Sequence, residues 1–321
     1  MQGLVTVFGG SGFIGRYVVR ALARQGWRVR VAVRRPNLRP ELKVIGEVGQ
    51  IELVQANVRD PASTARALEG ASAVVNLVGV LYEAGPQKFD RLHHEAARDL
   101  AAAAAARGIV RFVQMSALGA DPQSRSAYAR SKAEGEAAVR AAIPAATIIR
   151  PSVAFGPQDG FFNKFGQLAA VAPALPLIGG GKTRFQPVYA GDVGEAIAAA
   201  LGDDDRQGKT YELGGPGVYS FKELMQILLK ETQLPRLLVP VPFSLAGPLG
   251  VVGGLAAAFG FPPLITRDQV EMLRADNVVS EGAKGLKALG VTPTPLEAVL
   301  PTYLWRFRKG GQFAQPDAAN A

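Results

Sequence analysis

The sequence predicts an α/β fold, a doubly wound parallel sheet of Rossmann type followed by a smaller C-terminal lobe. Short apolar runs of strand length alternate with helical patterns through the first 150 of the 321 residues. A glycine-rich turn joins the first of these runs to the first helix. After residue 150, glycine and proline become dense and the rhythm changes. We expect residues 1–150 to form the sheet domain, residues 151–308 the smaller lobe, with elements returning to the sheet, and residues 309–321 a disordered tail.

The first strand, predicted from residue 4 to residue 8, runs directly into the glycine turn. The turn fits two templates, Gly9-x-x-Gly12-x-x-Gly15 and Gly10-x-Gly12-x-x-Gly15. In either register one glycine makes the tight turn, one admits a pyrophosphate, and Gly15 lets the helix pack on the strand. The helix N-terminus offers free N–H groups and a positive dipole end to phosphates. The sequence therefore predicts a dinucleotide site rather than a purely structural turn, formed by Gly9, Gly10, Ser11, Gly12, Phe13, Ile14 and Gly15.

Five further strands are predicted at residues 27–33, 51–54, 73–79, 112–116 and 147–150, with helices over residues 89–107 and 128–142. The ends of the strands place small and polar residues beside a bound nucleotide. Asn57 and Val58 are expected to face the adenine, and Leu77, Val78 and Gly79 to approach the cofactor closely. In the second half we expect a strand over residues 210–213, capping boxes at Ser220 and Thr266, and a last helix over residues 296–308.

The second strand ends in Arg34 and Arg35, where an NAD site usually has an acidic residue that binds the ribose 2′-hydroxyl. Guanidinium groups match a 2′-phosphate in charge and geometry. We therefore predict NADP(H) as the cofactor, with NAD(H) as the less favoured alternative. The alternative is that both arginines are solvated loop charges with no ligand.

Composition restricts the other classes of function. The chain has no cysteine and only two histidines, His93 and His94, so no metal site is predicted. A net charge of +9 suits anionic partners, but basic stretches interleaved with aromatic residues are missing, which argues against nucleic acid. The first strand begins so early that no presequence fits before it, which predicts a cytoplasmic protein unless a presequence was removed.

Two stretches of the smaller lobe carry no charge, residues 237–266 and residues 165–177. Prolines interrupt the longer stretch, and its unbroken part is shorter than a membrane span. The stretches are therefore either buried core or a surface that meets a bilayer or an apolar partner. The second possibility predicts peripheral association with the cytoplasmic face of the inner membrane.

Tyr128 and Lys132 form a Tyr-x-x-x-Lys pair, which shares one face of a helix. The ammonium is expected to lower the pKa of the phenol, so that Tyr128 can act as a general acid or base in carbonyl reduction. The lysine is also expected to bind ribose hydroxyls.

The turn GGSGFIG, the strand end NLVG, the helix start YARSK and the stretch RPSVAFGP together resemble the extended and atypical short-chain dehydrogenase/reductase superfamily. Within it the chain is most similar to the NAD(P)H-binding accessory subunits of respiratory complex I and their bacterial relatives. The stretches SALGAD, SKAEGE, PVYAGDV and LITRDQVEML…DNVVS carry the second resemblance, which covers the chain to about Arg308.

The resemblance implies roles for matching residues. Gly9, Gly12 and Gly15 would line the pyrophosphate, Arg34 would meet the 2′-phosphate, and Tyr128 and Lys132 would flank the nicotinamide ribose. Pro151 and Ser152, followed by Val153, would lie beside the carboxamide.

Two departures from the superfamily's pattern concern turnover. Active members carry a hydroxyl residue second in the pair that ends the fifth strand, but here the pair is Ser116-Ala117. Ser116 is retained as a catalytic candidate with Tyr128 and Lys132, while Ala117 occupies the usual catalytic position. His93 stands where relatives often have asparagine. We expect His93 and His94 to be packing or surface residues, with proton transfer as the alternative.

These observations leave three functions open. The first is an NADP(H)-binding accessory or assembly factor of respiratory complex I (NADH:ubiquinone oxidoreductase) with little turnover. The second is an active NADPH-dependent reductase or epimerase acting on an apolar substrate such as a quinone or isoprenoid. The third is a sensor of the NADP(H) redox state. The first function is favoured by Ala117, the uncharged stretches and the positive net charge.

Overall fold

The computed structural model describes residues 2–248, 263 and 265–313. Its centre is a parallel seven-stranded sheet with the order β11-β6-β5-β4-β1-β2-β3, which confirms the predicted fold class. Three two-stranded pairs, β10 with β7, β12 with β9 and β13 with β8, lie outside it. The strands are β1 (Leu4–Phe8), β2 (Arg28–Val33), β3 (Ile51–Gln55), β4 (Ala73–Asn76), β5 (Arg111–Met115), β6 (Thr147–Pro151), β7 (Ala154–Phe155), β8 (Ala174–Ile178), β9 (Arg184–Phe185), β10 (Val188–Tyr189), β11 (Thr210–Leu213), β12 (Tyr219–Ser220) and β13 (Leu237–Val241).

Helices connect the strands and cover both faces of the sheet. They are α1 (Phe13–Arg24), α2 (Pro61–Ala67), α3 (Ala96–Ala105), α4 (Ala127–Ala142), α5 (Phe162–Val171), α6 (Ala190–Gly202), α7 (Phe221–Thr232), α8 (243–248), α9 (Arg267–Met272), α10 (Leu296–Val299) and α11 (Pro301–Leu304). A π-helical turn, Asp90–Glu95, leads into α3. Short 3₁₀ turns occupy Pro36–Leu38, Pro40–Ile45, Gly179–Gly181, Asp204–Arg206, Leu286–Leu289, Trp305–Phe307 and Gly311–Phe313.

The central strands are apolar because each lies between two layers of helix. Val5 and Val7 of β1 join a core that includes α1 and α6, and Phe8 joins the opposite core with α3 and α4. The parallel register pairs Val5 with Val29 and Val7 with Val31. These strands consequently end together at one edge of the sheet, where the glycine turn follows β1.

The structure corrects three boundaries predicted from sequence. The fourth strand ends at Asn76 rather than Gly79, because the Asn76 side chain accepts a hydrogen bond from the Val78 N–H (3.2 Å) and turns the chain. The helix expected from residue 89 begins with the π turn. The last helix is interrupted at Pro301, which has no N–H to continue the α-helical ladder. Both predicted capping boxes, at Ser220 and Thr266, are confirmed.

The second half of the chain builds its own core and also returns to the sheet. Phe155, Phe162, Phe221 and Leu300 are buried in a cluster formed by α5, α7, α10 and α11. β11 is the seventh strand of the main sheet, and α6 lies on α1. The predicted division of the chain into two domains at residue 150 therefore stays a prediction.

The two uncharged stretches differ in burial. Leu175 and Leu177 of the shorter stretch are buried in the core of the lobe. In the longer stretch, β13 exposes Leu237 (71%) and Val239 (44%), and Leu245 is 61% exposed. Residues 249–262 and 264 lie outside the described residues, as do residues 314–321 of the predicted tail. Across the described part of the chain, no helix combines the length and apolarity needed to cross a membrane.

Candidate functional site

The glycine turn after β1 has the geometry of a phosphate cradle. Gly9 has a φ of +80°, and its carbonyl accepts a hydrogen bond from the Gly12 N–H (3.0 Å). A Cβ on Gly15 would lie 2.3 Å from the Gly9 oxygen, and one on Gly10 would lie 2.6 Å from Val31 Cγ1. Gly12, the N-cap of α1, has no side chain to cap the helix, and the first turn has no acidic residue. The N-terminus of α1 therefore suits an anionic group such as a pyrophosphate.

A cavity of about 250 Å³ opens at the ends of β1, β2, β3 and β4. This is the edge at which ligands bind in open α/β sheets. Of the residues predicted to bind the cofactor, it is lined by Gly9, Ser11, Gly12, Arg34, Asn57, Val58, Leu77, Val78 and Gly79. Its other lining residues are Phe8, Ala32, Val33, Ala56, Arg59, Val80, Gln87 and Leu92. Apolar walls, glycine backbone and a cationic rim fit the adenosine and phosphate portions of a dinucleotide.

The arginines at this cavity are not equivalent. Arg34 is exposed and lines the cavity, whereas Arg35 is exposed and does not appear in the lining. Arg59 also lines the cavity, held by the Asn57 side-chain oxygen and by the Pro86 carbonyl (3.3 Å). Sequence reasoning missed Arg59, although its position two residues after Asn57 was the available signal.

Tyr128 and Lys132 are both buried on α4, and the Lys132 Nζ lies 5.8 Å from the centre of the Tyr128 ring. The expectation that Lys132 lowers the pKa of Tyr128 is wrong. Burial raises the pKa of Tyr128, and the Asp268 charge raises it further. Burial also lowers the pKa of Lys132 to about 8, although Glu136 opposes this shift. Tyr128 is thus a protonated donor at neutral pH, and the lysine is close to its titration range.

The Lys132 ammonium lies beside Gly79, which lines the cavity. A Cβ on Gly79 would lie 3.1 Å from Lys132 Nζ and 3.3 Å from His93 Nε2. Glycine at this position therefore leaves room where the loop after β4 passes the Tyr-Lys pair. The Lys132 ammonium also lies 3.5 Å from the Met115 carbonyl at the end of β5.

His93 is a buried structural residue that connects three parts of the site. Its Nε2 accepts a hydrogen bond from the Val80 N–H (3.0 Å), and its Nδ1 lies 3.0 Å from Ser131 Oγ. Because the Ser131 hydroxyl donates to the Tyr128 carbonyl (2.8 Å), the proton of the imidazole is assigned to Nδ1. Burial, and secondarily the Lys132 charge, lower the pKa of His93 to about 2. These contacts support the packing role over proton transfer.

His94 instead lies at the surface, in a group with Asp90 and Glu134 whose potential ligand atoms are within 4.8 Å of one another. Its Nδ1 lies 3.0 Å from the Asp90 carboxylate. Exposed groups of this kind are commonly ion pairs, and the expectation of no metal site stays a prediction.

The end of β5 carries Ser116 and Ala117, the two residues considered for the position of a catalytic hydroxyl. Ser116 is buried, and its hydroxyl has no hydrogen-bond partner among the described residues. The next residue, Ala117, is half-buried and supplies no hydroxyl. A buried hydroxyl without a partner is unfavourable, which fits a position completed by a bound ligand.

The loop after β6 is held by Asn277, a residue that sequence reasoning missed. Its Oδ1 accepts hydrogen bonds from the Ser152 hydroxyl (2.7 Å) and the Val153 N–H (3.1 Å). Pro151 ends β6, and Ser152 is buried. The structure thus fixes the backbone of the segment predicted to lie beside the carboxamide.

The arrangement suits a nicotinamide dinucleotide bound across the edge of the sheet. When bound, such a cofactor supplies or accepts a hydride. The Tyr128 hydroxyl can donate a proton or a hydrogen bond, and Lys132 can donate to ribose hydroxyls. Residue 117 is an alanine and offers no hydroxyl to a substrate carbonyl.

Comparisons with known proteins agree with this geometry. The sequence model described as NAD dependent epimerase/dehydratase family matches residues 5–214. A mitochondrial protein of Arabidopsis thaliana, NADH dehydrogenase [ubiquinone] 1 alpha subcomplex subunit 9, is 38% identical over 320 residues, or 97% of this chain and 80% of its own. Ceramide reductase of Caulobacter vibrioides is 40% identical over 177 residues, or 55% of this chain and 54% of its own.

Among solved structures, the triphenylmethane reductase of Citrobacter sp., complexed with NADP(H), is 19% identical and has a TM-score of 0.72. The similarity covers 93% of this chain and 99% of that one, and shows the shared fold.

Proposed function

Since this chain belongs to the NAD dependent epimerase/dehydratase family, we propose that it is an NADP(H)-binding accessory or assembly factor of respiratory complex I with little turnover. The observation that carries the proposal is the 38% identity to a subunit of that enzyme, spread over 97% of this chain. The nucleotide cavity and the cradle before α1 support retention of the cofactor. Ala117 supports low turnover, because the substrate carbonyl lacks its usual hydroxyl partner.

The test uses the tagged full-length chain expressed from its own locus. We expect subunits of NADH:ubiquinone oxidoreductase to co-purify, and deletion of the gene to lower the amount of assembled complex on native gels. The deletion strain complemented with Tyr128→Phe should assemble the complex normally if turnover is dispensable. Normal assembly in the deletion strain, together with no co-purifying subunit, would contradict the proposal.

We propose NADP(H) rather than NAD(H) as the resident nucleotide. Support comes from Arg34 at the rim of the cavity, where a 2′-phosphate would find a cationic partner. Nucleotide released from the purified protein by denaturation should chromatograph as NADP(H). Recovery of NAD(H) alone would overturn this choice.

A peripheral membrane location on the cytoplasmic face is part of the same proposal. The exposed Leu237 and Val239 on β13, with Leu245, support an apolar contact there. Cell fractionation at low salt should leave much of the protein with membranes. Complete recovery in the soluble fraction at low salt would contradict this location.

The second candidate function is an active NADPH-dependent reductase on an apolar substrate. The buried, unpartnered Ser116 hydroxyl favours it, because a substrate oxygen would complete the hydrogen bonding at that position. The partial similarity to a ceramide reductase gives a class of apolar substrate to assay beside quinones. Sustained NADPH oxidation that depends on one of these substrates would establish this function instead.

A further inference from the structure

One short segment of the smaller lobe contacts three loops around the nicotinamide side of the proposed site. We name residues 266–277 the clasp segment; it contains α9 and ends at Asn277. The three loops follow β4, precede α4 and follow β6. Each loop carries or adjoins residues predicted to bind the reactive half of the cofactor.

Asp268 makes the contact with α4. Its carboxylate accepts hydrogen bonds from the Ser126 hydroxyl (2.8 Å), the Ala127 N–H (2.6 Å) and the Tyr128 N–H (3.3 Å). Ser126 is the N-cap of α4 and itself caps the Ala129 N–H (3.2 Å). A carboxylate from a residue 140 positions away therefore completes the N-terminus of the helix that carries Tyr128.

The other two contacts are made by Gln269, near the start of the clasp segment, and by Asn277, at its end. The Gln269 side-chain N–H donates to the Leu81 carbonyl (3.3 Å) in the loop after β4. The Asn277 side chain accepts from Ser152 and Val153 in the loop after β6. The loops are far apart in sequence, and the clasp segment links all three of them by side-chain hydrogen bonds.

We propose that Asp268 is a positioning residue for Tyr128, and that the clasp segment makes the nicotinamide half of the nucleotide site depend on the placement of α9. The adenine end depends on it far less, because Arg34 and Asn57 follow β2 and β3, whereas the clasp segment's hydrogen bonds reach the loop after β4, the start of α4 and the loop after β6. The inference rests on the proposed function to the extent that it assigns a bound dinucleotide to this site.

The electrostatics agree with this role. The Asp268 charge is the second cause, after burial, of the raised pKa of Tyr128. The three donors that Asp268 accepts from all lie within the first turn of α4 or at its cap, where loss of a capping side chain has its largest local effect. Removal of the charge should therefore displace Tyr128 more than it disturbs the rest of the smaller lobe.

The test compares Asp268→Asn with the wild-type full chain in two titrations. NADPH reports both halves of the site, whereas 2′,5′-ADP carries the adenine end and no nicotinamide. We expect Asp268→Asn to weaken NADPH binding about tenfold and to change 2′,5′-ADP binding by less than about twofold. The emission of bound NADPH should also shift, because its nicotinamide ring meets a displaced Tyr128.

Glu223→Gln is the matched control, since Glu223 also caps a helix of the smaller lobe, at Ser220, without touching the three loops. It should leave both affinities unchanged. Equal weakening of NADPH and 2′,5′-ADP by Asp268→Asn, or no difference from the Glu223→Gln control, would overturn the inference.

If Asp268→Asn does not fold, Gln269→Glu provides the second variant. It keeps the acceptor that caps the Thr266 N–H and replaces the donor to Leu81 by a carboxylate oxygen. We expect it to weaken NADPH binding about threefold with 2′,5′-ADP binding unchanged, and equal effects on both would again overturn the inference.

Hydrogen exchange separates this inference from the proposed function. In the ligand-free protein, Asp268→Asn should accelerate amide exchange in residues 79–82, 126–132 and 152–153 together. A wild-type chain that binds neither nucleotide would refute the proposed cofactor, yet the exchange pattern would still report the clasp. Acceleration confined to residues 126–132 would refute the clasp while leaving the cofactor proposal intact.

Discussion

Gly135 of α4 lies directly against the backbone carbonyl of His93, at a distance that leaves no room for a side chain. A Cβ on Gly135 would lie 2.0 Å from that oxygen. This contact brings the π turn close enough to α4 for the His93 Nδ1 to reach Ser131, and the Tyr128 ring lies edge-on to the imidazole at 5.3 Å. The geometry of the site therefore depends on Gly135, a residue that is not predicted to bind the cofactor.

Gly135→Ala should separate these two helices. Overpacking against backbone costs about 1–3 kcal/mol, and this should exceed the gain of about 1 kcal/mol in helix propensity. We expect a lower free energy of unfolding in urea and weaker NADPH binding. Gly160→Ala is the control, because a Cβ there meets nothing within 4 Å. Equal stability of the two variants would contradict the close approach.

His93 should make the protein sensitive to acid. Its pKa is lowered to about 2 by burial, so below its ordinary value of about 6.5 the unfolded chain takes up a proton that the folded chain does not. Stability from this residue therefore falls as the pH falls from about 6.5 towards 2, by about 2 kcal/mol between pH 7 and pH 5.

The measurement compares urea unfolding at pH 7 and pH 5. In His93→Asn the loss on acidification should be smaller by about that amount. A wild-type-like acid response in His93→Asn would show that His93 is not the responsible group.

Arg34→Ala should discriminate between cofactors. Loss of a charge-assisted contact to a 2′-phosphate costs on the order of 1.5–3 kcal/mol, or about 10- to 150-fold in affinity. NADH binding should change little, since NADH lacks that phosphate. Arg35→Ala is the control, because Arg35 does not line the cavity. If titration finds that the affinities for NADPH and NADH are equally weakened, Arg34 does not bind the 2′-phosphate.

Ala117→Ser should restore part of the reactive site. The added hydroxyl would lie beside Ser116 at the end of β5 and could bind a substrate carbonyl while Tyr128 supplies the proton. We expect NADPH oxidation with quinone or carbonyl substrates to rise on the order of 10²-fold over wild type, the lower end of the effect of one hydrogen-bond donor to a developing oxyanion. Tyr128→Phe in the same background should abolish the gain. Rapid turnover by the wild type would contradict the accessory role.

Much of the site could be predicted from sequence because the relevant signals are local. The glycine turn, Arg34, Asn57 and Gly79 lie within a few residues of a strand end, which places them all at the same edge of the sheet. The Tyr128–Lys132 spacing likewise survives in the helix. The environment of Tyr128 could not be predicted, because its pKa is raised by burial and by Asp268, which is 140 residues distant in sequence.

By itself the sequence determined the alternation of strands and helices, the phosphate cradle at the N-terminus of α1 and the identity of the residues available for chemistry. These depend on propensities and spacings that act over a few residues. The tertiary structure decided that β11 joins the main sheet, that His93 is locked between Val80 and Ser131, and that Asp268 and Asn277 hold the loops of the site. Such contacts depend on how separate elements pack, and no local pattern records the distance between two side chains that the fold alone brings together.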